Sequence, residues 1–176
     1  MEQALEMSVK DTEIWAKYLH SKINQTYGGN LEYGFHLDKV VEYGEKWIHL
    51  IEEEKREVVR KGLWLHDTLE SCSSILSYND LKRKMGVEVA EIVYAVTDEK
   101  GRTRKEKKNE KFYRELFGNK LGLFVKLADR MANVAYSKSV DSPMFYKYRR
   151  EYVDLFTKCY WPPFEPMFNE LEKMLT

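Results

Sequence analysis

The sequence predicts an all-α fold, an orthogonal bundle of about eight or nine helices in one domain. Three observations carry this. Apolar residues recur at three- and four-residue spacing along most of the chain. Only 9 Gly and 4 Pro interrupt 176 residues. The glycines Gly28-Gly29, Gly86, Gly101 and Gly118 punctuate the periodic segments.

The elements follow in order. Val9, Ile14, Leu19 and Ile23 share a first helix, opened by Ser8 with Asp11 three residues on, a capping-box-like start. Leu37, Val40, Val41, Gly44, Trp47, Ile48 and Ile51 make a second, and Val58, Val59, Leu63, Trp64, Leu65 and Leu69 a third with a wide apolar face. The run Val87, Val89, Ile92, Val93 and Val96 has strand propensity, but its spacing and the helical stretch Asn79–Met85 before it favour helix. Leu121 to Val134 reads as another wide apolar helix. Ser142-Pro143 is a helix start, an N-cap followed by a proline at the first helical position, for a helix to about Cys159. Pro162-Pro163 breaks the chain before a last helix, Phe164 to Leu175. Most aromatic residues after residue 110 are expected in the core.

Composition narrows the function classes. Lys plus Arg and Asp plus Glu are 29 each, so bulk charge does not favour a coat on long nucleic acid or on an anionic membrane. No run approaches the ~20 apolar residues of a membrane span. The first residues, Met1 to Glu6, lack the basic and apolar regions of a secretory signal. Two cysteines, Cys72 and Cys159, make no disulfide framework, so a cytoplasmic location with both thiols free is expected. A homo-oligomer is left open.

The informative stretch is Leu65-His66-Asp67-Thr68-Leu69-Glu70, inside the most apolar helical segment. Burying an unpaired His-Asp pair there costs several kcal/mol, and a divalent metal is the usual compensation where imidazole and carboxylate converge. On a continuous helix His66 and Glu70, and Asp67 and Glu70, share a face. Two more segments fit. Phe35-His36-Leu37 opens the second helix, and Val125-Lys126-Leu127-Ala128-Asp129-Arg130-Met131-Ala132-Asn133 sets Asp129 in an apolar helix with Asn133 four residues on.

The order His, His-Asp, Asp resembles the His-Asp (HD-domain) phosphohydrolase superfamily. Val-Lys-Leu-Ala-Asp-Arg-x-x-Asn and His66-Asp67-Thr68-Leu69-Glu70 are similar to its RelA/SpoT branch, as is Val96-Thr97-Asp98 before a basic stretch. The motif-bearing core covers about residues 10–135, with C-terminal helices at about 143–175, in a single domain over 1–176.

The resemblance implies a metal-dependent phosphohydrolase acting on a nucleotide, most like the guanosine 3′,5′-bis(diphosphate) 3′-pyrophosphohydrolases. His36, His66, Asp67 and Asp129 are then the ligands of one divalent cation. Mn²⁺ is the first choice for this mixed donor set, with Fe²⁺, Zn²⁺ or Co²⁺ as substitutes. His20 and His49 read as ordinary surface or core-edge histidines, so a second ion is not expected. Glu70 and Asp67 are the catalytic candidates, Glu70 as the group that takes a proton from the attacking water. Asn133, Tyr136, Lys126 and Arg130 are the substrate-binding candidates. The basic run Lys100 to Arg114, eight Lys or Arg against two Glu, is either a solvated helix face or an electropositive rim for phosphates.

Two departures from the branch bear on substrate. Glu70 is followed by Ser71 where the branch carries an acid. Tyr27-Gly28-Gly29 stands where alarmone hydrolases carry a basic segment that contacts guanine. These keep open a phosphatase acting on another nucleotide, or a non-catalytic nucleotide-binding module. Cys72, with no histidine following at a triad-like position, is expected to be a buried filler. The stretch after residue 135 carries no synthetase signature, so a bifunctional alarmone enzyme is not expected.

Overall fold

The computed structural model describes residues 6–98 and 109–176. Most of the basic run, residues 100–108, and Met1 to Leu5 lie outside the described residues. The elements are α1 (Val9–Lys22), a short antiparallel hairpin β1 (Thr26–Tyr27) and β2 (Leu31–Glu32), α2 (Tyr33–Trp47), α3 (Arg56–Leu65), the single turn α4 (Thr68–Ser71), α5 (Tyr78–Met85), α6 (Val87–Val96), α7 (Glu110–Gly118), α8 (Lys120–Ser139), α9 (Met144–Cys159) and α10 (Glu165–Met174). The all-α expectation holds, and among the described residues nine helices have eight residues or more. No helix among them is long and apolar enough to cross a membrane.

The helix starts follow from local side-chain chemistry. Ser8 accepts from the Asp11 amide at 3.0 Å. Ser77 and Asp80 form a reciprocal capping box at α5. Asn109 and Asn119 cap α7 and α8 by accepting from the amides of Phe112 and Gly122. Pro143 precedes α9, and the Ser142 hydroxyl accepts from the Met144 amide at 3.2 Å. The Val87–Val96 segment is helical, as its spacing indicates, and Gly86 at φ +87° separates it from α5.

Helix α8 is the central element. It packs against α2, α3, α6, α7, α9 and α10, and every residue from Gly122 to Ala132 is buried. One apolar cluster joins Phe124, Leu127 and Met131 of α8 to Leu155, Phe164, Phe168 and Leu171. A second gathers Ala16, Leu37, Leu65, Cys72, Leu81 and Val93 beneath α1 and α3. Helix α3 crosses its neighbours closely: a Cβ at Gly62 would lie 2.8 Å from Ile92 Cγ2, and one at Gly44 of α2 would lie 2.5 Å from Leu63 Cδ1. Phe112, Tyr113 and Tyr148 are buried as expected, whereas Phe117, Tyr146 and Phe156 are exposed.

Two local readings are corrected. The chain is not helical from end to end, because the Gly28-Gly29 segment folds into the hairpin, pairing Thr26 with Glu32 and Tyr27 with Leu31. The third helix does not continue through the His-Asp motif. It ends at Leu65, and Asp67 leaves helical geometry at φ −98°, ψ 0° before α4 begins. The break has a chemical consequence. Adjacent residues on a continuous helix do not face each other, whereas here Asp67 Oδ2 lies 3.0 Å from His66 Nε2.

Candidate metal centre

The second helix delivers His36 from its first turn, the α3–α4 break delivers His66 and Asp67, and the middle of α8 delivers Asp129. One donor atom from each of the four lies within 4.8 Å of all the others. His36 Nε2 is 3.3 Å from His66 Nε2, 3.1 Å from Asp129 Oδ1 and 3.6 Å from Asp67 Oδ2. His66 Nε2 is 3.4 Å from Asp129 Oδ1. Donors held about 2.1 Å from one ion lie about 3.0–3.4 Å apart along an octahedral or tetrahedral edge. Two nitrogen and two carboxylate donors at these spacings fit one divalent cation.

Side chains behind the donors fix their orientation. His66 Nδ1 donates to the Leu63 carbonyl oxygen at 2.8 Å, which leaves the Nε2 lone pair for the centre. The Tyr33 hydroxyl donates to Asp67 Oδ2. Asn133 Nδ2 donates to Asp129 Oδ1 at 2.9 Å, and Lys126 Nζ stands 3.5 Å from Asp129 Oδ2. Both histidines are only 2% exposed.

The electrostatics match such a cluster. Burial raises the Asp67 and Asp129 carboxyls, but the cations and imidazoles beside them outweigh it and hold both well below the ordinary carboxylate value. Burial lowers His36 and His66, and the same carboxylates outweigh that and raise both. Lys126 is raised as well, since Asp98 and Asp129 more than offset its burial.

The cavity above the donors holds about 140 Å³ and is lined by Tyr33, His36, Asp67, Glu70, Asp98, Lys126, Asp129, Arg130, Asn133 and Tyr148. Glu70, Asn133, Lys126 and Arg130 therefore border it, as their sequence positions suggest. Arg130 faces a carboxylate of α9. Its Nη1 lies 3.0 Å from Glu151 Oε2, and its guanidinium sits 4.9 Å from the Tyr148 ring centre. Tyr136 is not among the lining residues. It stands behind Tyr27, ring centres 4.8 Å apart.

Three further residues border the centre or support it without having been singled out as site residues. Tyr33 opens α2, Asp98 lies two residues past the end of α6 and Tyr148 is near the start of α9, and only Asp98 had a sequence signal, in Val96-Thr97-Asp98. His20 is fully buried rather than peripheral, with Nδ1 2.6 Å from Gln25 Oε1 and its ring 4.3 Å from that of Tyr33. It also lies 3.7 Å from Cys72 Sγ, so Cys72 does have a histidine neighbour. Burial nevertheless pushes that thiol up to about 11, which fits a filler. Both cysteines are free. Ser71 accepts from Gln25 Nε2 at 3.1 Å.

No family model matches the sequence, and no curated protein matches it significantly. Comparison of folds does find a match. A solved structure described as a metazoan ortholog of SpoT that hydrolyzes ppGpp and plays a role in starvation responses superposes with a TM-score of 0.62. The match covers 94% of this chain and 93% of that one, at 19% identity. At that identity the likeness establishes the architecture: this chain is similar in fold to a ppGpp hydrolase over nearly its whole length.

Proposed function

We propose that this protein is a metal-dependent phosphohydrolase acting on a nucleotide, with His36, His66, Asp67 and Asp129 holding one divalent cation. The observation that carries the reading is the convergence of those four donors, and the similarity in fold to a ppGpp hydrolase supports it. Mn²⁺ is the cation of choice for this donor set. When bound, it supplies Lewis-acid chemistry, making water a stronger acid and offsetting charge on a phosphoryl oxygen.

The chain's own residues do the rest. Glu70 borders the cavity three residues past Asp67 and accepts the proton of the attacking water. Lys126, held protonated by its carboxylate neighbours and 9% exposed, lines the cavity and offers positive charge to the substrate phosphate. Arg130, pinned by Glu151, presents its guanidinium in a fixed orientation, as phosphate recognition favours. Tyr33 and Asn133 hold Asp67 and Asp129 in place.

The first substrate to test is guanosine 3′,5′-bis(diphosphate), losing its 3′-pyrophosphate. A second reading, a phosphatase on another nucleotide, is favoured by Ser71, whose hydroxyl is turned to Gln25 and cannot serve as an acid. Purified protein with Mn²⁺ and a nucleotide panel separates them. Pyrophosphate release from the 3′ position supports the first and orthophosphate release the second. Nucleotide binding without turnover makes the protein a binding module and contradicts the hydrolase reading.

A further inference from the structure

Tyr27 closes the hairpin side of the candidate centre. Its ring stacks on His36, centres 4.6 Å apart and planes 21° from parallel. Its hydroxyl donates to Asn133 Oδ1 at 2.7 Å, while the other end of that amide is bonded to Asp129. Tyr136 backs the ring from α8. The next residue leaves no slack: Gly28 is at φ +60°, and a Cβ there would lie 2.0 Å from Tyr136 Oη. The hairpin is thus pressed onto α8, with Tyr27 wedged between His36 and Tyr136.

Among the described residues, the rest of the cavity offers a base little to stack on. The Tyr33 ring is already packed on His20, and Tyr148, 9% exposed, is covered by the Arg130 guanidinium. The remaining lining among the described residues is charged or amide: Asp67, Glu70, Asp98, Lys126, Asp129 and Asn133. About 140 Å³ of such lining suits a phosphoryl group and the sugar oxygens beside it, whereas pockets for flat, apolar groups are lined mostly by hydrophobic and aromatic side chains.

We propose that Tyr27 is a specificity-determining residue, and that by filling the face of His36 it makes the site read phosphate and sugar while staying indifferent to the base. The inference rests on the phosphohydrolase reading for its substrate class. Its structural content is that no base lies over His36 while Tyr27 is present.

The test uses Mn²⁺-loaded protein with the 5′-monophosphates of adenosine, guanosine, cytidine and uridine, ribose 5-phosphate, and the 3′,5′-bis(diphosphates) of guanosine and adenosine. Turnover is measured on the wild type, and dissociation constants on Glu70→Gln so that hydrolysis does not intervene. Within each phosphate class the wild-type pattern should vary by less than about fivefold with the base, well below the ratios that dedicated hydrogen-bond recognition gives. Tyr27→Ala should raise the preference for purine over ribose phosphate by about tenfold or more, because it opens the His36 ring to one base-stacking contact. Tyr27→Phe, which keeps the ring, should retain the indifferent pattern. A wild type that prefers one base by more than about tenfold, or a Tyr27→Ala variant that changes every ligand equally, overturns the inference. Base-indifferent binding without turnover leaves the inference standing and refutes the hydrolase reading. Absence of both binding and turnover refutes both.

Discussion

His66 Nδ1 donates to the carbonyl oxygen of Leu63, three residues earlier, at 2.8 Å. That carbonyl belongs to the last turn of α3, where helix termination leaves acceptors without an amide partner. The end of the helix therefore fixes the tautomer of the imidazole as well as its place. Helix break and site geometry are one feature.

The Tyr33 hydroxyl plays the matching part for Asp67. Tyr33→Phe should lower Mn²⁺ affinity by about 10–100-fold, the usual cost of losing a partner behind a metal ligand. Calorimetric titration reads this, and an affinity equal to that of the wild type would remove Tyr33 from the support of the centre.

Glu70→Gln should keep the cation and lose about 10²–10⁴ in turnover, since the amide can no longer accept the proton. Metal content by elemental analysis and kcat on the best nucleotide of the panel provide the comparison. An unchanged kcat would take the proton transfer away from Glu70.

Binding of the cation requires His36 and His66 neutral. In the metal-free protein their carboxylate neighbours hold both above the ordinary histidine value. The raised histidines stabilise the fold below the unfolded value, near 6.5, and that contribution disappears as pH rises through the folded value. The lowered carboxyls of Asp67 and Asp129 contribute above about pH 4, which is lost only under acid conditions. Protons thus compete with metal up to a higher pH than at an ordinary histidine. The rise in unfolding temperature on adding Mn²⁺ should be larger at alkaline than at mildly acidic pH. Equal rises at both would contradict the coupling.

Close packing gives a prediction independent of the centre. Gly62→Ala should destabilise the protein by about 1–3 kcal/mol in urea unfolding, because the added methyl meets the branched Ile92 side chain. A neutral effect would mean that α3 and α6 can separate without loss.

Much of this was legible in the sequence, for physical reasons. The helices announce themselves through apolar spacing, the cap at Ser8 and the Ser142-Pro143 start. Asp129 and Asn133 share a face of α8 because they are four apart, and they are hydrogen-bonded to each other. The hairpin was not legible, since two-residue strands are too short to carry a period. Neither was the break after Leu65: His66 keeps helical angles, φ −54° and ψ −33°, and one residue, Asp67, makes the departure. Tyr27 marks only a departure at the base-contact segment, and Tyr33 carries no signal, because the partners that tie them to the centre, Asn133 and Asp67, lie 106 and 34 residues away. No local pattern encodes contacts at that range.

The most direct measurement is the metal content and anomalous diffraction of crystals grown with Mn²⁺, for the wild type and for His66→Ala. The expected result is one ion per chain, touching His36, His66, Asp67 and Asp129, and none at that position in the variant. An ion bound elsewhere, or full occupancy without His66, would contradict a centre built on these four side chains.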